Sequence, residues 1–279
     1  MNMRKHFSAI LVLSALLFNA GCKEKTLTFV HMSDTQVGFI DTSAHFVHSD
    51  SLFAAAVQAV NALSPACVVI TGDLVDSASD AEQNEIFEKR TGEIEAPVYL
   101  IPGNHDIRGY TPEKYEEYVA KRGYGRFSFY LGGKKGTAFI GIDSNCIKDG
   151  CEEAENEQLE WLEAELSKAR GARHILVFLH CPIIRESIDE KEDYFNFPLP
   201  KRESYIRMFK DAGVDAVFAG HTHRTVVTEY DGIKFFTAGP VGNALGDGTP
   251  GFNVVTVGPG GVAAEYVPTP GIDPSHCRF

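Results

Sequence analysis

The 279 residues carry 38 acidic against 26 basic side chains, a net charge of −12. That balance excludes a surface built for nucleic acid or for electrostatic attachment to anionic lipid. With 44% apolar and 23% charged residues and no internal repeat, the chain is globular and long enough to bury a sizeable core.

The chain begins with basic MNMRKHF and the apolar run SAILVLSALLF, too short to span a bilayer, and reads as a signal peptide over residues 1–21. The small residues of NAGC before Cys22 resemble the lipobox of bacterial lipoproteins, in which that cysteine is lipidated, although Asn19 stands where leucine is usual. On that reading the protein is exported to a bacterial cell envelope, on the periplasmic side or the cell surface. It touches membrane only through a lipid anchor on Cys22 and a tether over residues 22–27. A cleaved signal peptide with an incidental cysteine is the alternative.

Short apolar runs then alternate with amphipathic segments. Strands are predicted at 26–32, 66–71, 97–101, 127–131, 137–142, 174–180, 215–220, 225–230, 234–239, 252–257 and 262–267. Helices are predicted at 50–63, 79–90, 111–122, 156–170 and 201–213, several opening on Asp, Ser, Thr or Asn and the last running into Gly213. LGGKKGT, EYDGIK and VGPGGVA are hairpin turns. The first half reads as βα units and the end as an antiparallel meander. The fold class that accommodates both is α/β, a four-layer α/β/β/α sandwich of two packed mixed sheets. One domain is expected over residues 28–270, followed by a tail over 271–279. Cys146 and Cys151 bracket CIKDGC, where an exported protein could hold either a disulfide or two thiols; Cys67 in ACVVI reads as a buried small hydrophobe.

The strand ends carry the chemistry. After 26–32 come Asp34 and Gln36; after 66–71, Asp73 in GDLVD; after 97–101, Asn104, His105 and Asp106 in PGNHD. The strand at 174–180 ends on His180, and that at 215–220 runs into GHTHR with His221 and His223. Any one of these is ordinary turn chemistry. Five together, all at the C-terminal ends of strands in an open α/β sheet, point to a metal site.

The series SDTQ, GDLVD, GNHD, His180 and GHTH resembles the metallophosphoesterase, or calcineurin-like phosphoesterase, superfamily. The usual first motif is Asp-x-His, and Gln36 stands in the histidine position. That glutamine, with ESIDEKEDYFNFPL and AGPVGNALG, resembles the branch of calcineurin-like phosphoesterase domain-containing phosphatases. The resemblance implies two divalent ions, Mn²⁺ favoured over Mg²⁺, Fe or Zn. One would lie on Asp34, Asp73 and His223 with Gln36, the other on Asp73, Asn104, His180 and His221.

It further implies that Asp73 bridges and that His105 is the general acid, its ring held by Asp106 or Asp76. Asn104 would also contact substrate, and Arg224, like Arg108, is a candidate for substrate phosphate. His31 is expected to be structural, and His45 and His48 to be solvated. The implied activity is a phosphomonoesterase, with Ser/Thr protein phosphatase-like action among the candidates and a phosphorylated small molecule or phosphoprotein as partner. A phosphodiesterase on nucleotides or phospholipid head groups, and a catalytically silent ligand-binding lipoprotein, are the alternatives. The chain is expected to act as a monomer.

Overall fold

A computed structural model describes residues 26–246 and 248–271. The signal-peptide and Cys22 readings, most of the expected tether and nearly all of the tail fall outside these residues. Eleven strands form two mixed sheets. The first holds β1 (Leu27–Met32), β2 (Val68–Thr71), β3 (Val98–Ile101), β10 (Gly251–Gly258) and β11 (Gly261–Pro268), in the order β11-β10-β1-β2-β3. The second holds β4 (Phe127–Leu131), β5 (Thr137–Gly141), β6 (His174–Phe178), β7 (Ala216–Ala219), β8 (Val226–Tyr230) and β9 (Ile233–Thr237), in the order β4-β5-β6-β7-β9-β8. The helices are α1 (Val47–Leu63), α2 (Ala81–Gly92), α3 (Pro112–Arg122), the short α4 (Asn145–Lys148), α5 (Glu152–Ala169) and α6 (Leu199–Ala212). None of the described helices is long and apolar enough to cross a membrane.

The layers follow from side-chain alternation. In β1, Phe29 faces the second sheet while Val30 and Met32 face outward, toward α1 and α2. Helix α1 answers with Phe53, Ala56, Val57 and Val60, one stripe at helical spacing. On the far side, α5 and α6 bury Leu162, Leu166, Tyr205, Ile206 and Phe209 against the second sheet. Between the sheets runs a phenylalanine ladder: Phe129, Phe139, Phe178, Phe218 and Phe236 stack in turn at centroid spacings of 4.8, 5.7, 5.0 and 5.2 Å. Phe29 meets the middle three edge-on at 5.0–5.9 Å.

Two expectations change, and one alternative left open by the sequence is decided. The last four strands are not a meander, because their hairpins belong to different sheets: β9 pairs parallel with β7, and β10 antiparallel with β1. The chain therefore crosses between sheets over residues 238–250, past the strand ends. Helix α5 begins at Glu152, ahead of the expected Asn156, and its first turn holds Glu152, Glu153 and Glu155, which the positive end of the helix favours. Cys146 and Cys151 are free thiols, with Cys146 turned to the Asp143 carbonyl and Cys151 to that of Tyr110.

Phe139 lies in the ladder away from the strand ends. Phe139→Ala is expected to lower unfolding free energy by about 3–5 kcal/mol in urea titration while leaving metal affinity intact.

Candidate metal centre

Strands β1, β2 and β7 each lead into a turn of opposite hand. Asp34, Gln36, Asp73, His221 and His223 have φ of 51°, 34°, 49°, 70° and 52°. They are five of the ten non-glycine residues with positive φ among the described residues. Such conformations cost on the order of 1–3 kcal/mol each and persist only where the surroundings over-determine them. The crowding shows at Gly220, where a Cβ would lie 1.6 Å from Ser33 Oγ and 2.6 Å from Asp34 Oδ2. At Gly103 a Cβ would come within 2.1 Å of Asp73 N.

Backbone amides tie the turns together. The N–H of Asp34 donates to Gly72 O at 3.1 Å and that of Gln36 to Asp73 O at 2.8 Å. The N–H of His105 donates to Asp73 Oδ1 at 2.8 Å, and that of His221 to Asp34 Oδ2 at 2.9 Å. The remaining carboxylate oxygens face imidazoles: Asp73 Oδ2 lies 3.3 Å from His180 Nε2, and Asp34 Oδ1 lies 3.5 Å from His223 Nε2. One donor atom from each of Asp73, His180 and His221 falls within 4.8 Å of the others. Asn104 Oδ1 joins them, 3.1 Å from His180 Nε2.

The outer ring nitrogens are pinned by carbonyls. His180 Nδ1–H donates to Thr71 O at 2.7 Å and His223 Nδ1–H to Asn243 O at 2.9 Å, which turns Nε2 of both rings inward. His221 is reversed: its Nε2–H donates to Tyr194 O at 2.9 Å and its Nδ1 points in. Burial disfavours charge on Asp34, Asp73, His180 and His221. It raises the pKa of Asp34, against the pull of His223 and His180. On Asp73 burial is outweighed by His180, and the carboxylate titrates well below the usual range. Burial likewise opposes charge on His180, but Asp73 prevails and lifts it to about 9; His221, buried beside His180, falls to about 3.

Three inward atoms are buried without a hydrogen-bond partner: Asp34 Oδ1, Gln36 Oε1 and His221 Nδ1. Bare lone pairs cost about 1–3 kcal/mol each in a protein interior. Carboxylate, amide and imidazole donors together form a set that divalent cations satisfy, and Asp73, grouped with His180 and His221, also lies within electrostatic reach of Asp34. The residues therefore fit metal, and Gln36, on the same loop as Asp34, keeps its buried amide oxygen without a hydrogen-bond partner.

His105 sits beside this cluster. Its Nδ1 is 2.9 Å from Asp76 Oδ1. Burial lowers its affinity for a proton, but Asp76 and Asp73 more than offset that, so its pKa is raised and Nδ1–H donates to Asp76. Arg108 donates to the Asp76 carbonyl at 3.1 Å. Asp106 does not hold His105: its carboxylate accepts the backbone N–H groups of Gly103 and Leu74 at 2.8 and 3.1 Å and so braces the two loops. Of the two carboxylates left open by the sequence, the structure selects Asp76. Arg224 is exposed, its backbone N–H bonded to Thr222 Oγ1. His31 is buried between the sheets, its Nε2 on Thr71 Oγ1 at 2.9 Å, and burial lowers its pKa to about 3. His45 is exposed on Glu82.

Tyr194 escapes the sequence reading. Its hydroxyl accepts Asn104 Nδ2–H at 2.8 Å and its ring lies 4.7 Å from that of His221. The only local signal is an aromatic pair in an acidic loop, and the contact spans ninety residues.

Residues 27–225 match the family model described as calcineurin-like phosphoesterase. The chain belongs to that family. It is accordingly a hydrolase of phosphate esters, in a family that depends on a dinuclear metal centre. The Serine/threonine-protein phosphatase CPPED1 of Danio rerio is 35% identical over 224 residues, 76% of this chain and 72% of that protein. A probable glycerophosphodiester phosphodiesterase GpdQ of Arcobacter nitrofigilis is 29% identical over 174 residues, 62% of each chain. A solved dimetal phosphatase from Danio rerio aligns with a TM-score of 0.65 over 87% of this chain and 99% of that one, at 13% identity, a likeness of fold alone.

Mn²⁺ at a hundredfold excess over its dissociation constant is expected to stabilise the protein by about 2.7 kcal/mol in a thermal-shift titration, and chelator to reverse it. Gln36→His should tighten binding in the same titration. Unchanged affinity would remove Gln36 from the donor set.

Proposed function

We propose that the chain is a phosphomonoesterase in which Asp34, Gln36, Asp73 and His223 hold one divalent ion, and Asp73, Asn104, His180 and His221 the other. Divalent ions supply a water nucleophile at neutral pH and neutralise phosphoryl charge. The chain's own groups do the rest. The His105 N–H donates to Asp73 Oδ1, which ties the loop of the proton donor to the carboxylate that would serve both ions. His105 gives the proton to the leaving-group oxygen from Nε2, with Nδ1–H anchored on Asp76. Tyr194 orients Asn104 through its hydroxyl and covers His221, limiting water at that side.

The observation that carries this reading is the pairing of a carboxylate-anchored imidazole with a buried cluster whose inward donors lack partners. The similarity to CPPED1 phosphatases favours monoesters and makes phosphoserine or phosphothreonine a candidate substrate. The similarity to GpdQ favours a diester instead. Both readings are separated by comparing hydrolysis of an aryl phosphate with that of its diester, using Mn²⁺-loaded protein lacking residues 1–22 and Asp73→Asn as the blank. Faster monoester turnover is expected. His105→Ala should cut kcat by about 10²–10⁴-fold with metal content retained; loss of metal would overturn the assignment of His105.

Attachment to a bacterial envelope through Cys22 belongs to the same proposal and rests on the N-terminal sequence. Cys22→Ser should move the protein from the membrane fraction to the soluble fraction and abolish labelling by a fatty-acid probe. Retention in the membrane fraction would refute the anchor.

A further inference from the structure

A cavity of about 300 Å³ opens beside His105, between the loop at 77–79, the loop at 105–108 and α3. Its charge runs against that of the protein. Four cations, Arg108, Lys114, Lys121 and Arg122, line it against Asp106 and Glu117, in a chain of net charge −12. Asp106 is buried, and its oxygens already accept the backbone amides of Leu74 and Gly103.

Carbonyls hold the two lysines, whereas the arginines have carboxylate neighbours, Arg108 lying 3.6 Å from Asp76 Oδ1 and Arg122 3.1 Å from Glu88. Lys114 Nζ donates to the carbonyls of Arg108 and Gly109, and Lys121 Nζ to that of Ala78 at 3.0 Å. Arg122 packs over Phe87, 4.6 Å from the ring centroid, and donates to Asn84 Oδ1 at 2.7 Å, with Glu88 as its one carboxylate. Desolvation and the nearby Arg122 lower the pKa of Lys121, against the opposing pull of Glu88 and Asp106.

We infer that this cavity is a subsite for an anionic group on the leaving-group side of the substrate, a carboxylate or a second phosphate. The inference rests on the proposed role of His105. A proton donor to the leaving-group oxygen marks where the leaving group sits, and the cavity shares His105 as a wall. A substrate with an acidic leaving group would place that acid among Arg108, Lys114 and Lys121. A plain aryl phosphate would leave the cavity unused.

The test uses matched pairs on the Mn²⁺-loaded protein: an aryl phosphate against the same ring carrying two carboxylates, and a phosphoserine peptide with neutral flanks against one with glutamate flanks. The acidic member of a pair is expected to have a KM about tenfold lower, and rising salt should narrow the gap. Lys114→Ala combined with Lys121→Ala, both exposed on α3, should raise KM for the acidic member about tenfold more than for its neutral counterpart. Lys121→Arg should keep the discrimination. A response confined to the dicarboxylate pair names a small anionic ester; a response in the peptide pair names an acidic phosphopeptide. Equal KM within both pairs, or discrimination that survives the double variant, would overturn the subsite. If no ester is hydrolysed, the role of His105 falls, and the cavity is read by polarisation binding of the two labelled peptides. Tighter binding of the acidic one, lost in the double variant, supports it; equal binding overturns it.

Discussion

Everything at the strand ends is organised by one buried carboxylate. Asp73 accepts the backbone N–H of His105 on one oxygen and faces His180 with the other, while its own carbonyl accepts the N–H of Gln36. Three loops from three strands are therefore referenced to a single residue. Because that side chain is buried, its charge is tolerable only if cations or hydrogen bonds compensate it. The same demand that fixes the loops makes the centre want metal. The left-handed turns at Asp34, Gln36, Asp73, His221 and His223 are part of the arrangement, since each reverses the chain just past a strand and aims a side chain inward.

Strain of that kind needs a rigid frame, and two parts of the fold supply it. The stacked phenylalanines hold β4 to β7 and β9 at fixed spacing, with Phe29 wedged edge-on from the other sheet. The sheets cannot slide without breaking both sets of contacts, so strand ends on different sheets keep their separation. The second part is the crossing segment at 238–250. Its Val241 and Gly242 amides donate to Ser33 O and Asp34 O at 2.9 and 3.0 Å, and Asn243 O accepts His223 Nδ1–H. A change of sheet thus also closes the back of the site.

These facts bear on what could be read in advance. The strands and the four layers were legible because apolar alternation and turn residues report local structure directly, as in TLTFVHM or LGGKKGT. The site residues were legible as types and positions, since polar donors after buried strands have few other reasons to recur. Pairing was not. Nothing in GDLVDS and GNHD separates Asp76 from Asp106 as the partner of His105, because the choice depends on how two loops face one another. Tyr194 and Asn243 reach the centre across long sequence separations from segments with no regular period. The crossing of the chain between sheets was hidden for a related reason: β8 to β11 each alternate correctly, and alternation does not say which sheet a hairpin joins.

Gln36 shows how far one departure from a motif reaches. An amide and a neutral imidazole carry the same charge, so the donor set keeps only the two negative charges of Asp34 and Asp73. Two divalent ions would bring four positive charges, and the surplus that draws a phosphate dianion survives the replacement. With Gln36 as a donor, as proposed, what would change is donor strength and softness: an amide oxygen is harder and weaker than imidazole, which would move preference toward Mn²⁺ or Mg²⁺ and away from Zn²⁺. The buried backbone position is kept, with the Gln36 N–H on Asp73 O at 2.8 Å, so the cost falls on the metal rather than on the fold. Substrate attraction and metal identity are then separately adjustable, the first through charge and the second through a single donor atom.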